Sequence, residues 1–220
     1  MKNLGDYLDY VRERSHQFKI SINTNGSQLN DEKIELITSH KVDLLNICID
    51  GATKETAKAV RLGLKFDKIE SNVHRLLNFR RKSGRKYPQV RVAMVLIDQN
   101  RHEAEMFLKR WRGVADYVGL SGFSNRAGSL SDSSVPVSAG TGTTSCVYPF
   151  STLNIWADGK AVLCCNDWNE EYVVGDLNRQ TLHEVWHGPE VTNARRLHIQ
   201  KRGAELASVR DATSGWRDLA

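Results

Sequence analysis

The chain has 220 residues, 40% of them hydrophobic and 26% charged, with 31 Lys and Arg against 26 Asp and Glu for a formal charge of +5. That balance belongs to a folded chain, and the small, dispersed positive excess is not the concentrated basic face of a nucleic-acid binder. No apolar run approaches the roughly 18 residues of a membrane helix. The opening Met1-Lys2-Asn3-Leu4-Gly5-Asp6 has no apolar signal core, and four cysteines are too few for a disulfide framework. A cytoplasmic location is expected, with neither nucleic acid nor membrane as partner.

The first half alternates helical and strand patterns. Leu4, Tyr7, Leu8 and Val11 share one helical face that ends near Ser15-His16, and the period-two run from Phe18 to Asn23 predicts a strand. Asn30-Asp31-Glu32 starts a helix carrying Ile34, Leu36 and Ile37. Leu44 to Ile49 predicts a second strand, closed by Asp50-Gly51. Thr53 opens a short helix to about Val60, and Phe66 to Ser83 predicts a longer one. Val90 to Ile97 is a third strand, 101–112 a helix and Tyr117 to Leu120 a fourth strand. This order predicts an α/β fold of parallel βαβ units, in which ligand sites gather at the C-terminal strand ends. Those ends are Asn23-Thr24-Asn25-Gly26, Asp50-Gly51 and Asp98-Gln99-Asn100, where ordinary turn chemistry and a ligand site are both consistent with the residues.

Residues 124–145, rich in Ser, Gly and Thr, read as a linker between a first module (1–123) and a second (146–220). In the second, Thr152 to Trp156 and Ala161 to Cys164 flank Asp158-Gly159 as a β-hairpin, followed by short helices at 181–186 and 191–200 with Gly188-Pro189 between them. Cys146 precedes the hairpin and Cys164-Cys165 end it. A hairpin that gathers thiolates can begin a metal site, yet zinc and iron–sulfur sites usually take four ligands, and buried cysteines are also plain small hydrophobes. The tryptophans are expected to serve packing.

The second module resembles the SPASM/twitch domain of radical SAM enzymes. The resemblance rests on Cys146, Ile155-Trp156-Ala157-Asp158-Gly159, Cys164-Cys165, Gly175-Asp176-Leu177, Thr181-Leu182-His183-Glu184-Val185-Trp186 and Arg195-Arg196, with 211–216 closing the pattern. The first module is similar to the later part of the radical SAM barrel, through Thr24-Asn25-Gly26, Ile49-Asp50-Gly51, the helix from Thr53 to Arg61 and the strand Val95 to Ile97. The resemblance implies a partial (β/α) barrel followed by a small α+β SPASM-like domain. It implies reductive cleavage of S-adenosylmethionine (SAM) at a [4Fe–4S] cluster, and oxidoreductase chemistry on a peptide, sugar or aminocyclitol-type substrate. Thr24, Asn25, Gly26, Asp50 and Arg61 are the candidate SAM contacts. Cys146 and Cys164 are the candidate ligands of the auxiliary cluster, Cys164 being preferred to Cys165 because strand neighbours face opposite ways.

Two departures bear on mechanism. The family's Cys-x3-Cys-x2-Cys motif is absent from the chain, which by resemblance begins near the third helix of the barrel. The closing Cys-x2-Cys is replaced by Val209 and Ala212. The expectation is a chain inactive on its own, binding neither group stably: a fragment, a degraded gene product or a subunit whose open barrel edge a partner chain covers. A docking module that uses the basic run Arg80, Arg81, Lys82, Arg85 and Lys86 is the alternative. A zinc site on His183-Glu184-Val185-Trp186-His187, with Glu205 as a third ligand, is a remote one.

Overall fold

Residues 3–123 and 146–206 are described by the computed structural model, and they fall into two compact units that meet in sequence between Gly122 and Phe123. The expected linker, Val209, Ala212 and the closing 211–216 segment lie outside the described residues.

In the first unit, apolar runs become four strands: β1 (Ser21–Thr24), β2 (Leu44–Cys48), β3 (Gln89–Leu96) and β4 (Tyr117–Gly122). They lie in the order β1-β2-β3-β4, every neighbouring pair parallel. Helix α1 (Leu4–Arg14) precedes them, α2 (Asp31–Ser39) links β1 to β2, and α3 (Lys54–Val60) with α4 (Phe66–Lys82) links β2 to β3. Helix α5 (Ala104–Trp111) links β3 to β4. The expected α/β class and parallel sheet are what the structure has.

Side chains alternate across a strand, and here the two faces differ in chemistry. Leu45 and Ile47 of β2, with Val90, Val92 and Met94 of β3, are buried in one core with Ile34, Ile37, Ile69, Val73, Phe107 and Trp111 from the helices. The intervening positions include a polar line: Asn23, Asn46 and Arg91 are in register across β1, β2 and β3. The helices therefore cover one face, and the other mixes that polar line with Leu44, Ala93 and Val95.

Two expected elements change at places with a physical cause. The first strand starts at Ser21 instead of Phe18, because the Asp43 carboxylate takes the Ile20 N–H at 2.9 Å before the ladder begins. The helix expected at 101–112 is broken: residues Arg101–Glu103 form a 3-10 turn ahead of α5. The turn sends Glu103 inward. Its carboxylate, 3% exposed, accepts from Ala52 N at 2.6 Å, Thr53 N at 3.1 Å, Thr53 Oγ1 at 2.5 Å and Thr56 Oγ1 at 2.7 Å. A distant carboxylate thus caps α3, where free N–H groups and the helix dipole favour negative charge.

The second unit holds β5 (Asn154–Ile155), β6 (Lys160–Val162) and β7 (Val173–Asp176) in one antiparallel sheet, then α6 (Leu182–Trp186) and α7 (Pro189–Ile199). The hairpin is shorter than its sequence suggested, and Gly175-Asp176 belongs to a third strand. Pro189 opens α7 at its first turn, where no N–H is needed. The core here joins Ala161, Leu163, Val174, Val185, Val191 and Leu197. Trp111 is buried as expected, whereas Trp168 is half exposed.

Replacing Glu103 by Ala is expected to cost roughly 3 kcal/mol, since buried donors to a charged acceptor lose their partner; urea unfolding measures it. Burial pushes this carboxyl up, but the donors from Thr53, Thr56 and Ala52 outweigh it and hold the group below its ordinary 4.5. The stabilisation is therefore complete above about pH 4.5 and fades as pH falls through the lower folded value. Acid unfolding of the wild type should carry this component, and Glu103→Gln should lack it.

Candidate functional site

The β2–α3 turn is where the C-terminal strand ends become organised. Asp50 follows β2 with a left-handed backbone (φ 58) and is 4% exposed. Its Oδ1 accepts the Val95 N–H at 2.7 Å, which ties the turn to β3. Its Oδ2 accepts from Arg61 Nε at 2.6 Å and pairs with Nη2 at 2.5 Å. Arg61 stands at the C-cap of α3, with its side chain still 38% exposed. The fully buried Asn100 donates to the carbonyls of Asp50 at 3.1 Å and Val95 at 2.8 Å, and accepts from Ile97 N at 2.8 Å. Asp50 is thus spent on holding the turn and aiming Arg61, and Arg61 is the group left to meet a ligand.

The β1 end is built differently. Thr24 Oγ1 accepts from Gly26 N at 3.1 Å, and Asn25 Oδ1 accepts from Ser27 N at 3.0 Å, so both side chains close the turn. Gly26 takes φ 74, and its carbonyl accepts from the buried Asn72 at 2.8 Å. The structure therefore places Asp50 and Arg61 in one ion pair, with Thr24, Asn25 and Gly26 at the neighbouring strand end.

Below these ends, the polar sheet face presents a cation that sequence reading did not single out. Arg91 lays its guanidinium across Gly119 on β4, into space that a Cβ there would occupy. Asn46, beside it in register, donates to Ser21 Oγ at 3.4 Å, while its buried Oδ1 meets no hydrogen-bond donor among the described residues. Cys48 shares this face; burial, then Asp50, raises its thiol, against the pull of Arg61 and Arg91. The missed signal was an arginine at a period-two position inside a mostly apolar strand, with a glycine diagonally across on the next strand, two residues on from its register partner Tyr117.

In the second unit, Cys164 and Cys165 follow β6 in a turn, so strand alternation does not separate them. Cys146 N donates to His198 Nδ1 at 3.3 Å. The Cys165 contact and then burial push the Cys164 thiol well above its ordinary value; Cys146 adds to the rise, and only the Asn166 N–H, 3.4 Å from Sγ, opposes it. Among the described residues no three His, Cys, Asp or Glu side chains gather to hold a metal ion. Two or three thiolates near one turn do not make a complete cradle for a [4Fe–4S] cluster.

The zinc alternative finds no better geometry. Glu184 accepts from Thr181 N and Oγ1 at 2.7 and 2.9 Å in a capping box, and Glu205 is paired with Arg202. The His183 and His187 rings adjoin, 4.4 Å between centroids, without a third ligand among the described residues.

Residues 146–208 match the family model described as SPASM, an iron–sulfur cluster-binding domain. The match falls within the second unit and leaves the first unit outside it. The structure of BtrN in complex with AdoMet and 2-DOIA is similar to this chain at 17% identity and TM-score 0.58, covering 97% of this chain and 67% of that one. Hexahistidine-tagged anSMEcpe with bound AdoMet is similar at 14% identity and TM-score 0.60, covering 97% and 69%. Native anSMEcpe with bound AdoMet and a peptide gives 13% and 0.58, covering 97% and 72%. Together these show that the chain shares the α/β fold of those structures. No curated protein matches it.

Cys165 is exposed, whereas Cys48 and Cys164 are partly buried with raised thiols. Thiolate is the reacting form, so brief iodoacetamide treatment near pH 8 is expected to modify Cys165 ahead of both. Peptide mass spectrometry reads the order, and early labelling of Cys164 would contradict this geometry.

Proposed function

We propose that this chain carries the SAM-facing strand ends and the SPASM domain of a radical SAM oxidoreductase acting on a small polar substrate, of peptide, sugar or aminocyclitol type. The observation that carries the reading is the exposed Arg61 guanidinium, held by the buried Asp50 at the C-terminal end of a parallel sheet. An arginine fixed in this way presents N–H groups in a set direction, suited to a carboxylate or to ribose hydroxyls. The polar sheet face with Arg91 and Asn46 supports a hydroxyl- or carboxylate-bearing substrate over an apolar one. Thr24, Asn25 and Gly26 line the adjoining strand end and contribute mainly backbone groups, because their side chains close the turn.

Bound SAM supplies the sulfonium whose reductive cleavage starts the family's chemistry. That cleavage needs a cluster held by protein thiolates, and the four cysteines of this chain contain no Cys-x3-Cys-x2-Cys run. In this reading the chain alone binds SAM weakly and does not cleave it, and a partner chain covers the open edge of β1. The docking-module alternative keeps support from the basic surface at the opposite end of the sheet.

The test uses the purified chain after anaerobic treatment with iron and sulfide. Metal analysis is expected to find well under the roughly four Fe per chain of a complete cluster. With SAM and dithionite, 5′-deoxyadenosine is expected at background; its formation overturns the inactivity of the isolated chain. SAM at millimolar concentration is expected to shift the amide resonances of Gly26 and Gly51, and Arg61→Ala to erase those shifts. Unmoved amides in the wild type would remove SAM from these strand ends.

A further inference from the structure

The N-terminal ends of the strands, away from Asp50, carry a feature that the proposed chemistry does not use. A cleft of about 470 Å³ is lined there by Thr38, Ser39, Lys41, Arg85, Lys86 and Tyr87. A smaller cleft of about 170 Å³ shares Lys41 and Tyr87 with it and reaches Lys19 and Asp43. The larger one has three cationic side chains and no carboxylate. Asp43, in the smaller one, is already taken by Lys19 at 3.0 Å and Arg12 at 3.7 Å. Among the described residues no carboxylate pairs with Lys41, Arg85 or Lys86. Thr38 and Ser39 direct their hydroxyls to the carbonyls of Ile34 and Leu36. What the cleft offers is positive charge and the edge of a partly exposed phenol ring.

The surrounding turns are tied together. The Arg12 guanidinium donates to the carbonyls of His40 at 2.7 Å, Lys41 at 2.7 Å and Phe18 at 2.8 Å. That fixes the α2–β2 turn, and Lys41 with it, against the end of α1. Lys41 itself is left-handed, with φ 50. It closes α2 through Lys41 N to Thr38 O and Val42 N to Ile37 O, the bond pair that usually places glycine at this position. A side chain there costs on the order of 1 kcal/mol. The lysine accepts that strain and brings its charge to the cleft.

We propose that this cleft binds a small phosphate-bearing anion, a diphosphate or phosphate ester, with Lys41, Arg85 and Lys86 as its charge partners and Tyr87 against the organic part. A concave site of a few hundred Å³ suits such a molecule, and unneutralised cations in one concavity repel each other until an anion enters. An ordinary solvated basic surface would show no fixed stoichiometry.

Calorimetry on the whole chain, in about 150 mM salt where the Debye length is about 8 Å, tests this with inorganic pyrophosphate and ADP as probes. The expected result is one saturable site. Lys41→Gly suits the left-handed backbone, so it is expected to weaken pyrophosphate about tenfold while the thermal midpoint holds or rises. A joint Arg85→Gln and Lys86→Gln change is expected to weaken it further. Non-saturating heats, or unchanged affinity in Lys41→Gly, would overturn the proposal. ADP binding more tightly than pyrophosphate supports the contact with Tyr87, and equal affinity overturns that part.

Discussion

The strand-end geometry depends on a carboxylate fifty residues away in sequence from the helix it caps. Glu103 takes two backbone N–H groups and two hydroxyls at the start of α3, and Asn100, on the same 3-10 turn, takes the Asp50 carbonyl. One tight turn after β3 therefore holds both ends of the segment from Asp50 to Thr53. Helix α3 is only seven residues long, too short to be stable from its own hydrogen bonds, and its direction is set by that external cap. Arg61 leaves the far end of this helix and returns to Asp50, so the ion pair closes a ring whose geometry Glu103 determines. The ring is rigid because every buried charge in it has partners, which is the condition under which burial of charge is tolerated.

The two ends of the sheet use charge in opposite ways. At the C-terminal ends, Asp50 is buried and saturated, and one arginine is left oriented. At the N-terminal ends, Asp43 and Asp116 are saturated by Lys19 and Arg80, and several cations nearby have no carboxylate partner among the described residues. Both carboxylates are held below their ordinary range: burial works against this, and hydrogen bonds from backbone N–H groups and from those cations overcome it. They act as structural pins at starts of strands: Asp43 orders the entry to β1 and Asp116, through Val90 N at 2.7 Å, the entry to β3. Acidic residues at one end thus fix strand register, and basic residues around them are free to meet solutes.

The parallel sheet and its helices were legible because β2 and β3 are mostly apolar runs and two of the linking helices start at caps that the structure uses, Asn30 and Thr53, as α6 does at Thr181. Asp50 and Arg61 were legible as candidates through the family resemblance, but their pairing was not, since the seven-residue helix α3 between them must fold before they meet. Glu103 was hidden inside a helical pattern, because nothing local marks a side chain that serves a distant N-terminus. Cys164 and Cys165 were read on a strand whose ladder ends at Val162, so the alternation argument had no ladder to act on. Arg91 was hidden by its neighbours: a run from Gln89 to Leu96 looks like a buried strand, and the room that Gly119 makes for a guanidinium appears only once β3 and β4 are paired.

The second unit raises a separate physical question, because small domains that match metal-binding families often depend on the metal for shape. Here the described residues hold their fold by other means. Arg195 of α7 donates to the carbonyls of Pro149 at 2.8 Å and Trp186 at 3.0 Å and lays its guanidinium 4.1 Å from the centre of the Trp186 ring. It thereby fastens the segment that follows Cys146 to the end of α6. Asp167 takes the N–H groups of Glu171 and Tyr172, both at 2.9 Å, and closes the turn that follows Cys164 and Cys165. The capping box on α6 and the apolar cluster around Val185 and Leu197 complete the frame. None of these contacts uses a thiolate. The frame of the described residues in this unit therefore rests on arginine, aspartate and backbone contacts and on apolar packing, with its cysteines outside it.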